Sequence, residues 1–127
     1  KTIALYGSGD YIRDYVYIDD VINALLLTSI VDYKEICKSS EIVFNVSSGK
    51  GTYIKTIFNL IAKEVEKITG VNINIETVQW PSHVSEIEKR NFIGSAERLK
   101  SLTGWFAKTS IEEGVQLLVK KYSKDFM

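Results

Sequence analysis

The amino-acid sequence predicts an α/β fold in which short strands alternate with helices. Two patterns carry the prediction: β-branched and aromatic runs at residues 2–6, 14–18 and 42–46, and a helical stripe of Ile54, Ile57, Phe58, Ile61, Ala62, Val65 and Ile68. A third follows directly, where Val71, Ile73 and Ile75 alternate with Asn72, Asn74 and Glu76, the period of two that a half-buried strand requires. With 127 residues, 45% hydrophobic and 25% charged, the chain has the balance of one soluble domain with a real core.

The elements follow in order. Residues 2–6 form a strand that ends in the turn cluster Gly7-Ser-Gly9-Asp10, and residues 14–18 form a second. Asp19 and Asp20 offer a carboxylate N-cap to a helix over residues 21–27, whose near-continuous apolarity predicts burial on more than one side. Residues 33–40 read as polar linker. The strand at 42–46 runs through Ser47-Ser-Gly-Lys-Gly51 to Thr52, a candidate cap for the helix that Gly70 stops. Residues 80–91 are irregular and polar, a long excursion and so a candidate functional loop. A short helix over 95–103 stops at Gly104, and a last one starts at Ser110, which with Glu113 has capping-box spacing.

Composition excludes several functions. Sixteen basic residues offset sixteen acidic ones and neither sign forms a block, so there is no footprint for nucleic acid or for a polybasic membrane contact. The apolar run at 21–31, broken by Asn23, Thr28 and Ser29, is too short to span a bilayer. Cys37 has no partner for an internal disulfide and no neighbouring ligand at metal spacing, which favours a reducing, cytoplasmic setting.

Few residues offer chemistry. Gly7-Ser-Gly9 and Gly49-Lys-Gly51 invite comparison with phosphate cradles, but Ile12 and Ile54 stand where a dinucleotide fingerprint needs its third glycine. Each remains open as a plain turn or a ligand contact. Arg13, after a glycine turn and before a strand, is placed to aim a guanidinium at a phosphate, or to form a local ion pair. In the excursion, His83, Glu86, Glu88, Lys89 and Arg90 suffice in kind for acid–base work or anion binding, or form a solvated loop. A lone histidine makes no metal site. Trp80, Trp105, Phe92 and Phe106 read as core or loop anchors.

Taken together, Gly7-Ser-Gly-Asp-Tyr-Ile-Arg-Asp-Tyr-Val-Tyr-Ile-Asp-Asp-Val21 resembles the glycine-turn, Arg-Asp-Tyr-Val-Tyr-Val-Asp-Asp-Val stretch of extended short-chain dehydrogenase/reductases, the NAD-dependent nucleotide-sugar epimerases and dehydratases. The likeness continues through Phe44-Asn-Val-Ser-Ser-Gly-Lys-Gly-Thr52. It ends in Leu99-Lys-Ser-Leu-Thr-Gly-Trp105 and Lys108-Thr-Ser-Ile-Glu-Glu-Gly114, similar to that family's Leu-Gly-Trp and Ser-Leu-Glu-Glu-Gly segments. The resemblance implies that residues 1–127 are a single substrate-binding domain, the C-terminal portion of a longer parent, partly completing a Rossmann sheet. The parent's N-terminal Rossmann part, absent here, would hold NAD or NADP. It further implies that this chain grips the diphosphate of a nucleotide sugar, with Arg13 at the position of the family's pyrophosphate-contacting arginine. A second family arginine, in an Arg-x-Gly-Asp context, is missing. Pro81-Ser-His-Val-Ser-Glu-Ile-Glu-Lys-Arg90 stands there instead, leaving Arg90 and His83 as candidate replacements. Ser47 replaces a common glycine of the family and Ser95 a common aspartate.

The family's chemistry needs a tyrosine made acidic by a lysine four residues later, and a Gly-x-x-Gly-x-x-Gly cofactor loop; this sequence has neither. The expectation is a portion that holds no cofactor and catalyses nothing alone. Its alternatives are a free-standing nucleotide-sugar-binding module, and a protein-interaction module built on the helix from Ile54 to Ile68. An isolated portion of this kind is also expected to expose apolar strand edges and to self-associate.

Overall fold

A computed structural model describes residues 1–38 and 42–123; the end of the expected linker, residues 39–40, lies outside them. The elements are β1 (Thr2–Tyr6), β2 (Ile12–Asp14), α1 (Ile18–Ser29), α2 (Tyr33–Ile36), β3 (Gly51–Tyr53), α3 (Ile54–Thr69), β4 (Asn74–Val78), a 3₁₀ turn (Glu86–Lys89), α4 (Glu97–Thr103) and α5 (Ile111–Ser123). The described residues group into two compact units of interleaved chain, residues 1–13, 52–92 and 111–123 in one, and 14–38, 42–51 and 93–110 in the other.

In the first unit β1 and β4 pair in parallel, with Thr2 opposite Asn74 and Tyr6 opposite Val78. Alternation had pointed to a strand from Val71, but a ladder extends only as far as its partner. β1 starts at Thr2, and the Asn74 N–H donates to the Lys1 carbonyl at 2.8 Å as the ladder begins. A second, shorter pairing joins β2 to β3.

α3 forms as its stripe predicts. Ile57 and Ala62 are buried, the helix packs on α5, and Gly70 terminates it at φ 68°, a left-handed conformation that costs glycine nothing. Its N-terminus differs from expectation. Thr52 lies in β3 and no side chain caps the helix; instead the Ile54 and Lys55 amides donate to the Tyr11 and Gly9 carbonyls, both at 3.0 Å. α5 starts directly after Ser110, with Glu112 and Glu113 in its first turn and Lys120 and Lys121 in its last, the order that complements the helix dipole. Val115 from α5 joins Leu5 and Ile57 among the buried residues of this unit.

The second unit has its core at Ala24, Leu99 and Trp105, with Phe44, Val46, Leu27 and Ala107 packed around them. Residues 42–46 do not form a strand. Phe44 and Val46 pack against the core and Asn45 is exposed, but no neighbouring strand pairs with this apolar run among the described residues. The expected strand at 14–18 is displaced as well: pairing covers 12–14, and α1 already starts at Ile18. Residues 33–36, read as linker, make one helical turn whose Lys34 amide donates to the Asp32 carboxylate at 2.8 Å. Cys37 is exposed.

α1 departs most from expectation. Its buried side is narrow, formed by Asp20 and Ala24. Ile18, Ile22, Leu25, Leu26 and Ile30 form an opposite stripe that faces outward, with Leu25 63% and Ile30 79% exposed. Near-continuous apolarity therefore reflects one narrow packed side and one open one, rather than burial all round.

Candidate functional site

The candidate site stands on Arg13, in the middle of β2; Asp14, the next residue, belongs to the second unit. Arg13 gathers carbonyl oxygens. Its Nη1 donates to the Ile12 carbonyl at 3.0 Å and to the Arg90 carbonyl, and its Nη2 donates to the Glu88 carbonyl at 2.5 Å. The same stretch is held from β2's backbone: the Ile12 amide donates to Asn91 Oδ1 at 2.8 Å and the Phe92 amide to the Ile12 carbonyl at 3.0 Å.

Asp14 does the converse and gathers donors. Its Oδ1 accepts from the Ser48 amide at 2.8 Å and the Ser48 hydroxyl at 2.5 Å, while its Oδ2 accepts from the amides of Gly49 at 2.9 Å and Gly94 at 3.2 Å. Such bonds to an ionised carboxylate are the strong kind.

The excursion is more ordered than its composition suggests. Val84 donates to the Pro81 carbonyl to close a turn that carries His83, and Ser85 caps the 3₁₀ turn by accepting from Ile87. Lys89 pairs with Glu86 at 2.5 Å, and that hydrogen bond raises the Lys89 ammonium above its ordinary pKa. Arg90 is exposed, with its guanidinium 5.7 Å from the centre of the Phe92 ring. Of the candidate residues, the structure joins Arg13 to the backbone of Arg90. His83 is exposed and makes no hydrogen bond to either among the described residues.

The first glycine pair is a turn filled by the protein itself, whereas Gly49 faces open space and Gly51 starts β3. A Cβ on Gly7 would lie 2.3 Å from the Trp80 indole nitrogen, and one on Gly9 would lie 2.9 Å from Leu5 Cδ2 and Lys55 Cβ. The Gly49 amide is committed to Asp14, and the first amides of α3 are taken by carbonyls. The crowded Gly7 and Gly9 and these engaged amides do not fit the phosphates of a dinucleotide cofactor. Trp80 stacks on Tyr6 with centroids 5.6 Å apart and meets Tyr11 edge-on, anchoring the start of the excursion.

Neither Asp19 nor Asp20 caps α1. Tyr17 occupies the N-cap of α1, and buried Asp20 instead accepts from the backbone amides of Lys108 at 3.1 Å and Thr109 at 2.9 Å. Trp105 is buried as expected, its indole donating to the Asp20 carbonyl at 3.0 Å, whereas Phe92 and Phe106 are exposed. A cavity of about 480 Å³ between α3 and α5 is lined by apolar residues such as Ile61, Val65, Leu118 and Tyr122, and by none of the candidate site residues. Among the described residues, no group of His, Cys, Asp and Glu is arranged to hold a metal, and no helix is long and apolar enough to cross a membrane.

Comparison with known proteins fits this arrangement. The family model described as GDP-mannose 4,6 dehydratase matches residues 1–118. The chain belongs to that family. This places it among the extended short-chain dehydrogenase/reductases, whose Rossmann-type architecture its parallel strand pair and helices share. A UDP-glucose 4-epimerase from Thermotoga maritima, solved with UDP-glucose, is 33% identical with a TM-score of 0.75, covering 100% of this chain and 36% of that one. A dTDP-glucose 4,6-dehydratase from Bacillus anthracis, solved with NAD, has a TM-score of 0.69 at 22% identity, covering 98% and 35%. Among curated proteins, the CDP-abequose synthase of Salmonella muenchen is 27% identical over 107 residues, 84% of this chain and 33% of that protein. The chain thus spans about a third of the length of these relatives.

In the second unit, the cluster of Asp14, Ser48 and Gly94 was not singled out as such from the sequence. Their bonds join positions 34 and 80 residues apart, and no local spacing encodes them.

Proposed function

We propose that this chain is the substrate-side portion of an NAD-dependent nucleotide-sugar epimerase or dehydratase, and that it grips the diphosphate of the nucleotide sugar through Arg13. The observation that carries the reading is the Arg13 guanidinium. It stands in the middle of β2 within the family's Arg-Asp stretch, it is half-buried, and three carbonyls hold it in place. A planar cation fixed in this way has lost its rotamer freedom before any ligand arrives, which favours recognition of an anion. The Thermotoga maritima relative, solved with UDP-glucose, supports a nucleotide sugar as the ligand class. Arg90 and His83, both exposed, are the secondary candidates for that contact.

NAD or NADP belongs to the longer protein in this proposal. It would supply hydride chemistry there, while this chain's residues bind and orient the substrate. Without a Tyr-x-x-x-Lys pair or a cofactor loop, these residues alone do not oxidise a sugar by the family's route.

Calorimetric titration with UDP-glucose tests the grip. Arg13→Ala should weaken binding by about 10- to 100-fold, the loss of a charged hydrogen-bonding partner; equal affinity in the variant would remove Arg13 from the site. Sequencing the gene upstream of the Lys1 codon tests the rest, since an open frame without the glycine loop and Tyr-x-x-x-Lys sinks the enzyme reading.

One observation favours a second reading, a protein-interaction module. The outward stripe of α1 exposes five large aliphatic side chains, whereas the helix from Ile54, first expected in that role, is packed on α5. A strict monomer in sedimentation, with no partner recovered, counts against it.

A further inference from the structure

A guanidinium has five N–H donors. In Arg13 three of them are committed, two on Nη1 and one on Nη2, all to main-chain carbonyls, and two of those carbonyls belong to Glu88 and Arg90 in a single turn. What remains among the described residues is the Nε–H and the second Nη2–H. Two donors are enough for a bidentate contact with one phosphate. The side chain can therefore do two things at once that a lysine, with three donors on one tetrahedral nitrogen, does poorly.

We infer that Arg13 is also a positioning residue: its guanidinium braces the 86–90 turn and thereby sets where Arg90 stands, so that the two arginines act on a diphosphate as a coupled pair. The Ile12 bonds to Asn91 and Phe92 fall after the turn, and within it there is little else. It is a single 3₁₀ turn with Ser85 at its head and an exposed Lys89–Glu86 pair, and 3₁₀ hydrogen bonds have poor geometry. Arg90 reaches Arg13 through its carbonyl, which leaves its own guanidinium on the outer side over Phe92. The bracing half of the inference stands on the backbone contacts alone. The coupling half rests on the diphosphate reading given above.

Hydrogen exchange resolved by peptide, together with a double-mutant cycle, tests both halves. In the chain without ligand, Arg13→Ala and Arg13→Lys should each speed exchange across residues 85–92 by about tenfold or more, while a peptide from α3 is unchanged and certifies the fold. Unchanged exchange at 85–92 in a folded Arg13→Ala overturns the brace. With UDP-glucose as probe, Arg90→Ala should weaken binding by roughly tenfold in the parent chain and by less than about twofold in the Arg13→Ala background. Equal losses in both backgrounds overturn the coupling. If exchange rises as expected but UDP-glucose binds no variant and not the parent, the brace stands and the diphosphate reading fails.

Discussion

The Gly94 amide donates to Asp14 Oδ2 at 3.2 Å, closing a contact between residues 80 positions apart. The same carboxylate holds the Ser48 and Gly49 amides and the Ser48 hydroxyl, so one side chain organises two distant stretches of backbone. Asp14→Ala should destabilise the protein by about 2–4 kcal/mol, since several partly buried donors lose a charged acceptor. Asp14→Asn retains one acceptor oxygen and should cost about half as much. Urea unfolding followed by far-UV circular dichroism measures both.

Gly94 faces a side chain it cannot crowd. A Cβ there would lie 2.7 Å from the Ser47 Cβ and 2.9 Å from its hydroxyl oxygen. Gly94→Ala should cost about 1–3 kcal/mol by overpacking, and Ser47→Gly in the same chain should recover most of that. Ser47→Ala alone keeps the Cβ but removes a hydroxyl that is buried and has no partner among the described residues. That variant should be neutral or more stable by up to about 1 kcal/mol. A urea midpoint that falls in Ser47→Ala would show that the hydroxyl is satisfied.

Asp20 ties the start of α1 to the segment after Trp105 through two backbone amides, and its own carbonyl receives the Trp105 indole. Asp20→Ala removes only the carboxylate and should cost about 2–3 kcal/mol. Because Trp105 is 3% exposed, the loosening should red-shift and broaden its fluorescence before global unfolding. Spectra identical to the parent at low urea would refute the link.

The Asp10–Lys55 pair joins the glycine turn to the first turn of α3. Its hydrogen bond to Lys55 lowers the Asp10 carboxyl below its ordinary pKa, and the same bond raises the Lys55 ammonium above its own. A lowered carboxylate contributes stability that is present above its ordinary pKa and lost as pH falls through the folded value; a raised ammonium contributes below its ordinary pKa and loses it as pH rises past the folded one. The pair therefore acts across neutral pH and fades at both ends. Both side chains are about half exposed, so the effect is small. Asp10→Asn should lower the melting temperature slightly at pH 7 and low salt, and the gap should close in about 1 M salt. A gap that survives high salt would point to a cause other than charge.

How far the sequence could be read depended on whether the determinants were local. The stripe from Ile54 to Ile68 and the glycine after it specify α3 within a few turns, and the structure has that helix, ending at Gly70. Residues 42–46 carry an equally plain strand pattern, but a strand exists only with a partner, which pattern alone does not supply. Asp20 looked like a cap because it precedes an apolar run; its real partners lie 88 and 89 residues on. Arg13 was legible as a functional position from its neighbours. That its donors meet carbonyls from residues 75 and 77 positions away was not.

The partners of Arg13 and Asp14 are main-chain groups, apart from one serine hydroxyl. Every residue except proline carries the amide, and every residue carries the carbonyl. Tolerance to substitution should therefore be lopsided: positions 88 and 90 can change identity and still present the same carbonyls, while the arginine that collects them cannot. Backbone length is the exception. Inserting or deleting one residue between 88 and 90 would move a carbonyl that Arg13 collects, so relatives that keep this arginine working should vary in what fills that turn more readily than in how long it is.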